Sequence, residues 1–203
     1  MLRVKEVTPE DGSAEAREIF AEGMCQLGAV TNFGKVMLHA PSAYKAWLMA
    51  NKGVRMKYLE EDIDFLRVEQ CVVIKTSMLN GSAYCLGHNT GLAKEIGFTE
   101  EQFEAIRGDY ESSPLLTDAQ KTATRWAEQV TRLKARNDDE LFERMRAHFT
   151  DSQIVELTVL IGMWNWSNRF TEALHIELEP EELRIRFHPR GSRAASKDRR
   201  TLL

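Results

Sequence analysis

Asn80-Gly81-Ser82-Ala83-Tyr84-Cys85-Leu86-Gly87-His88-Asn89 is the stretch on which the reading of the fold turns. It lies between two segments that both read as helix. Upstream, Glu60 to Leu79 carries Val68, Cys71, Val72 and Ile74 densely enough to be buried. Asn80-Gly81 then supplies the residue pair that ends a helix in a turn or left-handed conformation. Ser82 is placed to cap a new helix running to about Ile96, where Gly97 stops it.

Working outward, helix follows helix. Thr99-Glu-Glu-Gln102, Thr117-Asp-Ala-Gln120 and Thr150-Asp-Ser-Gln153 each carry the pattern in which the first residue caps a helix and the fourth reaches back. Asn137-Asp-Asp-Glu140 repeats it with Asn in the first place. Ser13 caps a helix to about Leu27 with Ile19, Phe20, Gly23 and Leu27 on one stripe. Short helical segments are expected over Asn32–Ala40 and from Pro41 to about Lys57. The last long helix, to about Leu174, is apolar nearly all round, which places it centrally or at a subunit interface. Leu183-Arg-Ile-Arg-Phe187 alternates but has no obvious partner strand, so it reads as extended or irregular. The expectation is an all-α chain with one domain over residues 1–183 and a basic tail over 184–203, the last dozen residues of it disordered.

Composition bounds the function. In 203 residues, 43% are hydrophobic and 29% charged, enough for a core of its own. The longest apolar run, Leu157 to Trp164, is far too short to cross a bilayer. The first residues lack the apolar core of a signal peptide. Three Cys cannot all pair within the chain, and reduced thiols in the cytoplasm are the default reading. Nothing resembles a zinc cluster, a phosphate-binding loop or a dinucleotide fingerprint, so no metal or organic cofactor is expected. The net charge of -4 hides an asymmetry: from Arg184 onward seven basic residues face one acid. With no aromatic residue after Phe187 to stack on bases, the tail reads as a solvated terminus and nucleic acid is not an expected partner.

Cys85 and His88 are three residues apart and therefore neighbours on a helix. Cys85 also falls in the first turn, where the dipole and free N–H groups favour an anion. Both effects lower a thiol pKa, and Ser82 is placed to donate a hydrogen bond to the thiolate. The alternative is a small core cysteine beside a histidine satisfied by a backbone carbonyl; the residues alone leave both open. Cys25 and Cys71 sit on apolar faces without a neighbouring His and read as inert. Tyr84 and Trp166 read as core before pocket. Asn165 and Asn168 need partners, either across a subunit interface or at the site.

The segment Asn80 to Asn89 resembles the signature of the AhpD-like, or carboxymuconolactone decarboxylase, family, which has the form Asn-Gly-Cys-x-Tyr-Cys followed closely by His. His39-Ala-Pro41, Gly91-Leu-Ala with Gly97-Phe-Thr-Glu-Glu-Gln, and Trp164-Asn-Trp-Ser-Asn-Arg169-Phe through Ala173-Leu174 and Glu179-Pro180 resemble other parts of it, so the likeness covers roughly residues 30–180. It implies a helical bundle assembled as a homo-oligomer, a trimer or hexamer. In the peroxidase branch the second Cys attacks a hydroperoxide, the first closes a disulfide, and a Glu and the His move protons.

Three departures stand out. Ser82 replaces the first Cys, which removes the intramolecular disulfide. Twelve residues before Ser82 stands Gln70, with Glu69 one place away, and one residue turns a helix by about 100°. His88 follows Cys85 by three where the best-known peroxidases use four, the place of Asn89. The resemblance thus implies a hydroperoxide reductase with Cys85 as nucleophile, His88 as proton partner, Ser82 as cap and thiolate donor, Glu69 as a proton relay, and an external thiol as reductant. Its rivals are a decarboxylase-like enzyme on a small organic acid, with Arg169 or Arg67 as anion ligands, and an inactive oligomeric binding protein.

Overall fold

A computed structural model describes residues 2–181 of the chain. Ten α-helices follow one another among the described residues, with no strand. They are α1 (Ala14–Leu27), α2 (Asn32–Met37), α3 (Pro41–Asn51), α4 (Tyr58–Glu61), α5 (Ile63–Leu79), α6 (Ala83–Glu95), α7 (Glu100–Arg107), α8 (Asp118–Thr131), α9 (Asp139–His148) and α10 (Asp151–Leu174). The basic tail and the extended stretch expected at Leu183–Phe187 lie outside the described residues.

The capping boxes at Thr99, Thr117 and Thr150 all form, each with its reciprocal Gln contact. Ser13 caps α1 and Ser82 caps α6. Three expectations need correction. The helix expected from Glu60 is broken at Asp62, whose carboxylate accepts from the backbone N–H groups of Asp64 and Phe65 and starts α5 afresh. Asn137 ends a 3-10 turn, and Asp138 caps α9 in its place. The segment expected to run as helix to Lys57 widens into a π-helical turn over Lys52–Met56.

α5 is the central element. Every residue from Val68 to Ser77 is buried, and the helix packs against α8, α10 and α6. One core cluster joins α5 to α1, α2, α3, α8, α9 and α10; a second fills the space between α5, α6 and α7. α10 is buried along one side only, and Val155 (60% exposed), Val159 and Trp166 (41%) face outward, so Trp166 is not core. Gly81, at φ 68°, makes the left-handed turn between α5 and α6 that a side chain would strain. After α10 the chain folds back. Asn32 donates through its side-chain amide to the Glu177 carbonyl, and a Cβ on Gly87 would collide with Leu178. Gly87 therefore lets this returning segment lie directly on α6. No helix among the described residues is long and apolar enough to span a membrane.

Candidate active site

α6 begins at Ser82, whose hydroxyl accepts from the Cys85 backbone N–H at 3.4 Å and shares a hydrogen bond with Thr171 of α10 at 3.1 Å. Cys85 is 6% exposed and His88 7%. Both line a cavity of about 60 Å³ whose other walls include Phe33, Tyr44, Trp47, Tyr84 and Trp164. Trp47 and Trp164, 6.3 Å apart at their ring centroids, come from α3 and α10, so three distant parts of the chain meet over Cys85.

His88 is held from outside its own helix. Its Nε2 lies 2.6 Å from Oε2 of Glu179. The other carboxylate oxygen accepts from the Tyr84 hydroxyl at 2.9 Å and from the Asn32 backbone N–H. Burial would raise the Glu179 pKa, but the hydrogen bond from His88 and the backbone N–H of Asn32 outweigh it and hold the group below the usual carboxylate range. Glu179 is therefore an acceptor, and His88 donates from Nε2. His88 Nδ1 is left buried with no hydrogen-bond partner among the described residues. In the neutral imidazole that atom carries the lone pair.

The thiol behaves differently from its sequence expectation. Burial pushes Cys85 up to about 11, against the lowering effect of hydrogen bonds from Ser82 and Thr171. The helix start and the neighbouring histidine do not offset the removal of water, so the resting form at neutral pH is the thiol. Cys71 is wholly buried and pushed up to about 12 by the same cause. Cys25, expected on an apolar face, is exposed.

Glu69 and Gln70 line no part of this cavity. Both are fully buried, but they belong to a second polar cluster built around Arg55, which the π-helical turn carries inward. Arg55 Nη2 donates to Gln70 Oε1 at 2.5 Å and to Asn89 Oδ1 at 3.0 Å, and its guanidinium lies 4.8 Å from the Trp164 ring centre. Gln70 Nε2 donates to the Asn89 carbonyl at 2.6 Å, and Asn89 Nδ2 donates to the Cys85 carbonyl at 2.8 Å. Burial pushes Glu69 up to about 9 despite the Arg55 charge, and its oxygens have no hydrogen-bond partner among the described residues.

The arginines singled out from sequence are engaged elsewhere. Arg67 binds Asp64 and the Ile96 carbonyl, and Arg169 binds Asn165 on its own helix. Asn165 also bonds Asn80 and Thr131 and so finds its partners within the chain; Asn168 accepts from Ser77, while its Nδ2 is buried with no hydrogen-bond partner among the described residues. Arg55 and Glu179 are the groups that sequence reasoning did not single out. Nothing in Lys52-Gly-Val-Arg55 distinguishes a buried arginine from a surface one. Among the described residues, no group of three or more His, Cys, Asp or Glu is placed to hold a metal.

No family model matches the chain. It is 26% identical over 142 residues to the uncharacterized protein YdfG of Bacillus subtilis (strain 168), covering 70% of this chain and 85% of that protein. The structure resembles a protein of unknown function from Agrobacterium tumefaciens, linked by name to antioxidant defence and AhpD. That likeness has a TM-score of 0.62 at 27% identity and covers 71% of this chain and 96% of the other. It also resembles the AhpD core of an uncharacterized peroxidase-related protein from Ralstonia eutropha JMP134, with a TM-score of 0.73 at 17% identity over 89% of this chain and 93% of the other. The fold is AhpD-like. These structural neighbours are AhpD-like and peroxidase-related proteins. In this chain the histidine beside Cys85 in sequence, His88, is oriented by Glu179.

Proposed function

We propose that the protein is a hydroperoxide reductase that works through one cysteine, Cys85, in the chemistry of its peroxidase-related neighbours. The observation that carries the reading is the shared cavity of Cys85 and His88, with His88 Nε2 fixed on Glu179 and Nδ1 buried and unpartnered. A buried histidine oriented through one nitrogen presents the other as a base, the arrangement that activates a nearby nucleophile. Cys85 needs such a base because its own thiol is held protonated.

His88 Nδ1 takes the thiol proton. The thiolate attacks the terminal oxygen of ROOH, a sulfur–oxygen bond forms, and the oxygen–oxygen bond breaks. The leaving alkoxide receives the proton back from His88 as ROH. Cys85 is now the sulfenic acid. Ser82, in place of a second cysteine, cannot close a disulfide, so an external small thiol condenses with the sulfenic acid, releasing water. A second thiol then frees Cys85 as a low-molecular-weight disulfide forms. The hydroxyls of Ser82 and Thr171 supply hydrogen bonds to the thiolate. Glu69 takes no part, because it belongs to the Arg55 cluster. A homo-oligomer in the cytoplasm remains part of the proposal.

A small organic acid is a poorer match. Neither Lys nor Arg is among the lining residues, and an unpaired buried carboxylate is costly. The test is turnover. Reduced protein, hydrogen peroxide and a small unbranched monothiol should consume thiol in proportion to peroxide, and Cys85→Ser should fall to the rate without protein. Equal rates for the two proteins would remove the reading.

A further inference from the structure

We propose that the Cys85 cavity admits only small, uncharged hydroperoxides, hydrogen peroxide or an unbranched primary alkyl hydroperoxide, and excludes branched, aromatic and anionic ones. The proposal rests on the reading above and adds to it the size and charge of the substrate. Three observations carry it.

The first is volume. The cavity measures about 60 Å³. A water molecule takes ~30 Å³ of liquid, and a buried cavity known to hold benzene measures ~150 Å³. There is room for the two oxygens of a hydroperoxyl group but not for a ring beside the sulfur.

The second is the stiffness of the walls. Phe33 and Trp47 stand 5.2 Å apart at their ring centres, and Trp47 and Trp164 6.3 Å. The Trp47 indole N–H donates to Ser167 Oγ at 3.0 Å. The Tyr84 hydroxyl is tied at both ends, accepting from the Phe33 N–H at 3.1 Å and donating to Glu179. Widening the cavity breaks a hydrogen bond or a ring contact, and packed interiors yield little.

The third is polarity. Trp164 lines the cavity, and its indole N–H is buried with no hydrogen-bond partner among the described residues. His88, on another wall, likewise has its Nδ1 buried with no hydrogen-bond partner among the described residues. The two walls thus carry one unused donor and, in the neutral imidazole, one unused acceptor. An anionic substrate would meet no Lys or Arg among the lining residues; the Glu179 carboxylate stands behind His88, and the Arg55 guanidinium behind Trp164 is already engaged by Gln70 and Asn89.

Thiol reagents of one chemistry test size and charge apart from peroxide reactivity. The reduced protein is treated with methyl, benzyl or 2-sulfonatoethyl methanethiosulfonate, and modification of Cys85 is read against exposed Cys25 by peptide mass. The methyl reagent should modify Cys85, whereas the benzyl and sulfonate reagents should lag it by about tenfold or more relative to Cys25. Trp164→Phe, which keeps an aromatic wall but gives up volume and the N–H, should narrow the methyl-to-benzyl ratio. The same ranking should appear in Cys85 oxidation by hydrogen peroxide, ethyl hydroperoxide and cumene hydroperoxide. Equal modification by all three reagents overturns the proposal, and so does a Cys85 that none of them reaches. If the reagents rank as expected while no hydroperoxide reacts, the cavity has the proposed size and charge but the peroxidase reading fails.

Discussion

His88 and Asn89 are adjacent on α6, yet they belong to different polar systems. His88 joins Glu179, Tyr84 and the Cys85 cavity. Asn89 also lines that cavity, but its side chain joins Arg55 and its carbonyl joins Gln70. One step along a helix turns a side chain by about 100°, and this separates a histidine held by a carboxylate from an amide held by a buried arginine. The resemblance of the segment Asn80 to Asn89 implied proton-transfer groups twelve residues before Ser82 and four after Cys85, where this chain has Gln70 and Asn89. Two amides there cannot shuttle protons at neutral pH, so they hold structure: Asn89 ties the Cys85 carbonyl to a buried arginine. The proton-handling group lies on the other side, where a carboxylate from the returning chain orients a histidine.

This contrast can be broken by substitution, and the expected effects differ in kind. Cys85→Ser should abolish hydroperoxide-dependent thiol oxidation while the far-ultraviolet circular dichroism of the protein stays unchanged. His88→Ala should slow Cys85 oxidation by about 10²–10⁴, the range for a positioned base, in stopped-flow measurements at neutral pH. On the Arg55 side the loss should be stability. Arg55→Met leaves Gln70 and Asn89 without their donor and Glu69 without its cation, and should cost about 3–5 kcal/mol in urea unfolding. Pairing it with Glu69→Leu should recover only the part of that loss that comes from Glu69, a result expected of a structural cluster and not of a catalytic one.

The two regions also separate by pH. Glu69 is raised from 4.5 to about 9 in the fold. Between those values the folded state holds a proton that the unfolded chain has lost, so its contribution to stability is present below 4.5 and fades as pH rises toward 9. Glu69→Gln should flatten that decline in unfolding curves taken across this window. Glu179 has the opposite sign. Its pKa is depressed, so its contribution is present in neutral solution and is lost as pH falls through its folded value, and Glu179→Gln should flatten the acid side. The smallest effect is expected at Ser82. Ser82→Ala removes a helix cap worth about 1 kcal/mol and one of the hydrogen bonds that favour the thiolate, and should show as a modest shift in the melting midpoint.

The residues that announced themselves in the sequence are those whose roles are local. A threonine followed three places on by glutamine starts a helix by contacts within four residues, and Thr99, Thr117 and Thr150 all do so. Asp138 took the cap expected of Asn137 because both are good caps, and the 3-10 turn before them decides between the two. Cys85 and His88 were legible from their spacing. Arg55 was not, because only the extra residue of a π-helical turn brings it inward, and that turn has no pattern of its own. The role of Glu179 was not legible for another reason: it reaches His88, 91 residues away, only because α10 ends in a left-handed His175 and the chain turns back over Gly87. The lowered thiol pKa expected from the helix start failed for the same reason, since burial is a property of the assembled walls.

The central claim is that the buried, protonated Cys85 is the reactive thiol because His88 and Glu179 activate it. The most direct test is competition within one molecule. Reduced protein receives less than one equivalent of hydrogen peroxide at neutral pH, sulfenic acid is trapped as it forms, and the label is mapped to Cys25, Cys71 and Cys85. The account requires the label on Cys85 ahead of exposed Cys25, and its loss from Cys85 in His88→Ala. Label on Cys25 first, or on Cys85 equally in both proteins, would contradict it.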